Sequence, residues 1–175
     1  FSSGNPSHHP VGNLGVNADV PSLLSSWTVN SLMTCMDCHN TDDRSGRAPK
    51  GPHGSNFKYL LERNYETNDP ASESADAYAL CYKCHSRDSI IGDQSFKYHR
   101  RHIVEQNTSC SVCHDPHGIS SLQGNADNNS HLINFDLTAV APNISGELAF
   151  QDLGRFSGQC SLTCHGREHL NTRYP

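Results

Sequence analysis

Apolar side chains are thinly spread along this 175-residue chain and cluster in short runs between polar, turn-forming stretches. Residues 1–34 carry one such cluster, Leu23, Leu24, Trp27, Val29, Leu32 and Met33, behind an arm loosened by Gly4, Pro6, Pro10, Gly12 and Gly15. Over 57–68, Phe57, Leu60, Leu61 and Tyr65 share one face at helical spacing, which predicts a short amphipathic helix. Residues 70–85 make the best helix. Ala77, Leu80, Cys81 and Cys84 recur at i, i+3, i+4 and i+7, and Pro70 suits a first helical turn. A further helix over 95–106 starts at Ser95 as its N-cap and places His99 and His102 on one face. Residues 118–159 form a long polar connection. Within it, 131–137 alternates as a strand would, and 147–150 could pair with it. The pattern predicts mostly coil and turns, a few short helices and minimal sheet.

Composition sharpens this. Only 34% of residues are apolar, against about 45–50% in ordinary globular chains. Such a chain has too little side-chain core to offset its conformational entropy. Something other than side chains must supply apolar surface and cross-links.

The cysteines suggest what that is. Cys35, Cys38 and His39 form C-x-x-C-H, as do Cys81, Cys84 and His85, and Cys110, Cys113 and His114. Cys160, Cys164 and His165 repeat it with one extra residue between the cysteines. All eight cysteines are used. C-x-x-C-H is the attachment signature of c-type haem: the thiols bond to the haem vinyl carbons and the adjacent histidine reaches the iron. Zinc sites and a disulfide framework also use paired cysteines, but neither needs a histidine after every second one. Four such placements by chance have a probability on the order of 10⁻⁵. The expectation is four covalent haems c with proximal ligands His39, His85, His114 and His165. The fold class is then a multihaem cytochrome c wrapped around its haems.

Twelve histidines leave eight beyond the proximal four, enough for a second ligand on every iron. The motifs start at 35, 81, 110 and 160, a long, short, long spacing. Gly51-Pro52-His53-Gly54 and Asp115-Pro116-His117-Gly118 each follow the first motif of a pair. His8 and His9, and His99 and His102, each precede one. This predicts one tetrahaem domain over 1–175 made of two tandem two-haem units, about 1–86 and 87–175. An upstream histidine would cap the first haem of a unit and the Pro-His-Gly histidine the second. His9, His53, His102 and His117 are then the distal ligands of haems one to four, with His8, His99, His131 and His169 in reserve.

The net charge of −5, without a basic block, gives no sign of nucleic-acid binding. No apolar run approaches the ~20 residues needed to span a bilayer. A chain beginning at Phe1 fits a processed, secreted product.

The paired motifs with Pro-His-Gly resemble the doubled-motif multihaem cytochromes c of metal-reducing bacteria. The segments 80–85, 110–118, 131–136 and 160–166 are similar to those of the OmcE-type four-haem extracellular cytochromes. The resemblance implies bis-histidine haems in an unbroken line and subunits polymerised into a conducting filament at the cell surface or beyond. It also implies that one axial histidine passes between subunits, with His8 or His9 as the candidate. Filled axial positions leave no open iron site for substrate, which favours electron transfer over an enzyme. A filament subunit serving external acceptors, a soluble periplasmic shuttle and a small multihaem reductase are the three readings.

Overall fold

The computed structural model describes residues 2–125 and 128–175. Coil and turns dominate, and they are tied together by backbone hydrogen bonds between distant segments. Short 3₁₀ turns form at Cys35–Asp37, Lys58–Leu60 and Cys81–Lys83. Helix α1 spans Arg87–Ile91 and α2 spans Cys110–Cys113, with a π-helical segment at Arg100–Glu105 between them.

The expected minimal sheet is corrected by a four-stranded antiparallel sheet in the last third of the chain. Its strands are β1, Val140–Ala141; β2, Ala149–Asp152; β3, Gly158–Cys164; and β4, Arg167–Tyr174. β3 is central. β4 pairs along one edge, while β1 and β2 share the other, one towards each end. The reason is local. His165 and Gly166 both have positive φ, 49° and 73°. A two-residue type I′ turn needs that conformation, and it matches the twist of the strands on either side. Leu162 of β3 then packs on Val112 of α2 and Val140 of β1. Ile133, Phe150 and Tyr174 form a second small cluster beside it.

The expected helices are replaced by bracing contacts. Over 57–68 only the turn at Lys58–Leu60 forms, and Tyr59 and Leu60 are left-handed, with φ of 60° and 55°. Over 70–85, a cis peptide bond precedes Pro70 and turns run from 75 to the 3₁₀ turn at Cys81–Lys83. The helix expected over 95–106 is cut to the π-helical segment, which begins after His99. The stretch 131–137 is not a strand. It lies along α2 through Asn134 N–H to Cys113 O and Asp136 N–H to Val112 O, and β2 pairs with β3 instead.

The N-terminal arm crosses to the third motif, where Ser7 bridges Ile119. Ser109 N–H donates to Asp69, and Arg155 pairs with Asp19. Among the described residues no helix is long and apolar enough to cross a membrane.

Candidate haem sites

Three motifs share one backbone shape. In each, the histidine N–H donates to the carbonyl of the first cysteine: His39 to Cys35 at 2.8 Å, His85 to Cys81 at 3.0 Å and His114 to Cys110 at 2.9 Å. This closes one helical turn, so the cysteines, three apart, lie on the same side.

Each turn is also strapped from outside. Leu61, Leu23 and Ile133 bridge His39, His85 and His114 respectively. The next residue along, Glu62, Leu24 or Asn134, donates its N–H to the second cysteine's carbonyl, each at 2.8 Å. The strap also orients the imidazole. His39 Nδ1–H donates to Tyr59 O at 2.8 Å, and His114 Nδ1–H to His131 O at 2.9 Å. His85 Nδ1 meets the Ser22 hydroxyl at 2.8 Å. A carbonyl only accepts, so it fixes the proton on Nδ1 and leaves the Nε2 lone pair for a metal.

Among the described residues, four pairs of histidine rings approach one another. His39 and His117 stand 6.1 Å apart between centroids, His9 and His85 6.4 Å, His99 and His114 6.4 Å, and His102 and His169 6.5 Å. Two imidazoles ligating one metal, each nitrogen at about 2.0–2.1 Å, have centroids roughly 6.3 Å apart. Two partner rings are anchored in the same way as the motif histidines: His9 Nδ1–H on Pro116 O at 2.8 Å, and His102 Nδ1–H on Tyr98 O at 2.7 Å. His99 Nδ1 is buried without a hydrogen-bond partner. Burial depresses the basicity of His9, His102, His114 and His169, and holds His85 down at about 4 and His99 at about 3. These rings are neutral at physiological pH, the form that binds a metal.

The pairs differ from the spacing rule. His9 sits with His85 of the second motif, not with His39 of the first, and His117 sits with His39. His99, a reserve residue, faces His114. His53 lies exposed on its loop. His131 is engaged at both nitrogens, by Asn17 at 3.0 Å and by Asp152 at 3.0 Å. His8 is buried, with Nδ1 against His9 O, so the arm turns both of its histidines inward.

The fourth motif has another shape. Cys160 and Cys164 lie in β3, so four residue steps of strand separate them by roughly 13 Å. His165 Nε2 is bonded to Asp69 Oδ2 at 2.6 Å.

Residues 28–90 match the family described as "Doubled CXXCH motif". The match, over little more than a third of the chain, is to a family of paired C-x-x-C-H motifs. It spans the first two of the four motifs. Comparisons with curated proteins and with solved structures returned no match.

The first three motifs fit haem c: two cysteines on one turn, an oriented imidazole, and a second imidazole at the right separation. When bound, the group supplies a one-electron couple. The cysteines of the fourth motif do not fit in the same way, because an extended strand holds them too far apart to meet one macrocycle as the other pairs do. All eight cysteines are free. Among the described residues no three or more of His, Cys, Asp and Glu gather as a zinc cage would need. Burial pushes Cys38 and Cys160 up to about 11, and Cys81 and Cys113 up to about 12. Such sites suit an uncharged thioether better than a thiolate.

The motifs and their histidines stand in the sequence, and three of the four close as helical turns. Sequence reasoning missed the straps, whose one visible signal is a bulky aliphatic residue (Leu23, Leu61 or Ile133) in a polar loop.

Proposed function

We propose that this chain conducts electrons through bis-histidine haems set in one continuous line, and that copies assemble into an extracellular filament serving acceptors outside the cell. The facing histidine pairs carry the reading. With an imidazole on each side of the iron there is no open position for substrate, so the iron exchanges electrons only. Successive motifs are also neighbours. Cys38 acts electrostatically on Cys81, Cys81 on Cys110, and Cys113 feels both Cys160 and Cys164. This order supports haem edges in sequence one, two, three, four.

All four histidine pairs close within one chain. That observation favours a second reading, a monomeric periplasmic shuttle, and it removes the need for His8 or His9 to ligate a neighbour's iron. Electron microscopy and light scattering of purified holoprotein separate the two. Fibres with a repeat of one subunit support the filament. Monomers at every concentration and salt support the shuttle. A wild-type holoprotein with a high-spin haem would refute both.

A further inference from the structure

The second motif is held differently from the first and third. We propose that Ser22 is a positioning residue for the second haem iron, its hydroxyl standing in for the backbone carbonyl that orients the motif histidine at the other two sites. The inference rests on the haem-binding reading above and concerns what sets the ligand strength of His85.

At the first and third sites the carbonyl comes from the residue two before the strap: Tyr59 before Leu61, and His131 before Ile133. Both approaches have the same backbone. Tyr59 and Leu60 have φ of 60° and 55°, and His131 and Leu132 have φ of 55° and 63°. Two left-handed residues in a row are costly for side chains with a Cβ. Here they swing a carbonyl onto an imidazole, the kind of place where backbone strain is kept.

The second strap cannot be built this way. The residue two before Leu23 is Pro21, whose ring locks φ near about −65°. Pro21 instead takes the second position of a turn over 20–23, closed by Leu23 N–H on Val20 O at 3.2 Å. Ser22 meets the need from the next position, with its Oγ 2.8 Å from His85 Nδ1. Its place is fixed. Ser22 O accepts the Ser86 N–H at 2.6 Å, Leu24 N–H reaches Cys84 O at 2.8 Å, and Ser22 is only 8% exposed. As an acceptor the hydroxyl holds the proton on Nδ1 and leaves Nε2 for iron.

The difference has a chemical consequence. A hydrogen bond from Nδ1–H makes a ligating imidazole more basic, and a more basic ligand favours ferric over ferrous iron. Tyr59 O and His131 O are main-chain atoms that no substitution removes. The acceptor of His85 is a side chain, so residue 22 adjusts the second haem alone.

The test is a redox titration of the holoprotein, followed optically and by low-temperature electron paramagnetic resonance, in wild type, Ser22→Ala and Ser22→Thr. Ser22→Ala is expected to raise the ferrous-to-ferric ratio of one haem by about tenfold at that haem's wild-type midpoint, with every haem still low-spin. Ser22→Thr keeps the hydroxyl and should restore the wild-type value. Ser55→Ala and Ser130→Ala are the controls. Ser55 Oγ braces the first strap through Leu61 O, and Ser130 Oγ bonds Asp152 beside the third. Among the described residues neither hydroxyl is bonded to a motif histidine, so neither substitution should move a potential. Should Ser22→Ala fail to fold, proton magnetic resonance of reduced wild-type protein should show an Overhauser contact between His85 Nδ1–H and the Ser22 β-protons. Unchanged potentials in Ser22→Ala, equal shifts in the controls, or no such contact would overturn the assignment. Wild-type protein without covalent haem would instead remove the haem reading itself.

Discussion

Gly118 ends the Pro-His-Gly sequence after the third motif, and the structure gives it a role that can be measured. Its φ is +90°, and a Cβ there would meet Ser7 O at 2.5 Å and His8 Cα and Cβ at 2.8 Å. Ordinary contacts begin near about 3.5 Å, so Gly118→Ala must drive the arm back by roughly 1 Å. The arm is held by Ile119 N–H on Ser7 O at 2.9 Å, Leu132 N–H on Ser7 Oγ at 2.6 Å and His9 Nδ1–H on Pro116 O at 2.8 Å. Overpacking costs about 1–3 kcal/mol, and the left-handed backbone adds about 1–2 kcal/mol for a residue with Cβ. The expected destabilisation is about 2–5 kcal/mol, read from the midpoint of chemical denaturation. His9 moves with the arm, so its ring leaves the 6.4 Å separation from His85. One haem should then turn high-spin. Gly46→Ala is the control. Its φ is +72° and nothing lies within 4 Å of its Cβ, so only the backbone cost should appear. Equal effects from the two substitutions, or low-spin spectra in both, would refute the reasoning.

Other outcomes follow from the same geometry. Glu73 is 4% exposed, accepts two bonds from Arg87 and takes the Tyr82 hydroxyl. Because Arg87 is itself partly exposed, Glu73→Gln should cost roughly 1–3 kcal/mol. Arg87 first, then Tyr82, holds the Glu73 carboxyl below its ordinary 4.5. Its stabilisation is therefore present above pH 4.5 and lost as pH falls through the lower folded value, and in Glu73→Gln urea midpoints measured across that range should lose this dependence. Leu162→Ala empties the contact between Val112 and Val140 and should cost about 2–5 kcal/mol in denaturation. His131→Ala should leave the haem spectra unchanged while lowering stability by about 0.5–2 kcal/mol. A new high-spin signal there would refute the placement of both its nitrogens on protein partners.

Much of the candidate site was legible because C-x-x-C-H is a local pattern. Cys35 to His39, Cys81 to His85 and Cys110 to His114 must each close one turn, and they do. The partner histidines were harder, since nothing local constrains them. His53 and His117 share a Pro-His-Gly context, yet only His117 is drawn to a motif histidine, beside an arm that packs on Gly118. The helix expected over 57–68 failed because Leu61 and Glu62 are spent on strapping the first motif, and the stretch 70–85 is tied instead to 64–66 through Leu80 N–H to Asn64 O and Glu66 N–H to Ala77 O. The sheet was foreshadowed by one unread signal: His165-Gly166 between two extended runs is a hairpin turn. The motif's own histidine hid it.

The arm that caps the second motif comes from the beginning of the chain, yet its anchor at Pro116 lies 107 residues away. On the haem reading the chain is exported N-terminus first, so when Cys81 and Cys84 emerge the residues that dock His9 are still inside the cell. On the proposed pairing, the second haem is therefore acquired with one axial face bare and completed only after the third motif arrives. Maturation would then have a defined order, with His9 docked last, and a chain truncated before Pro116 should stop short of that docking.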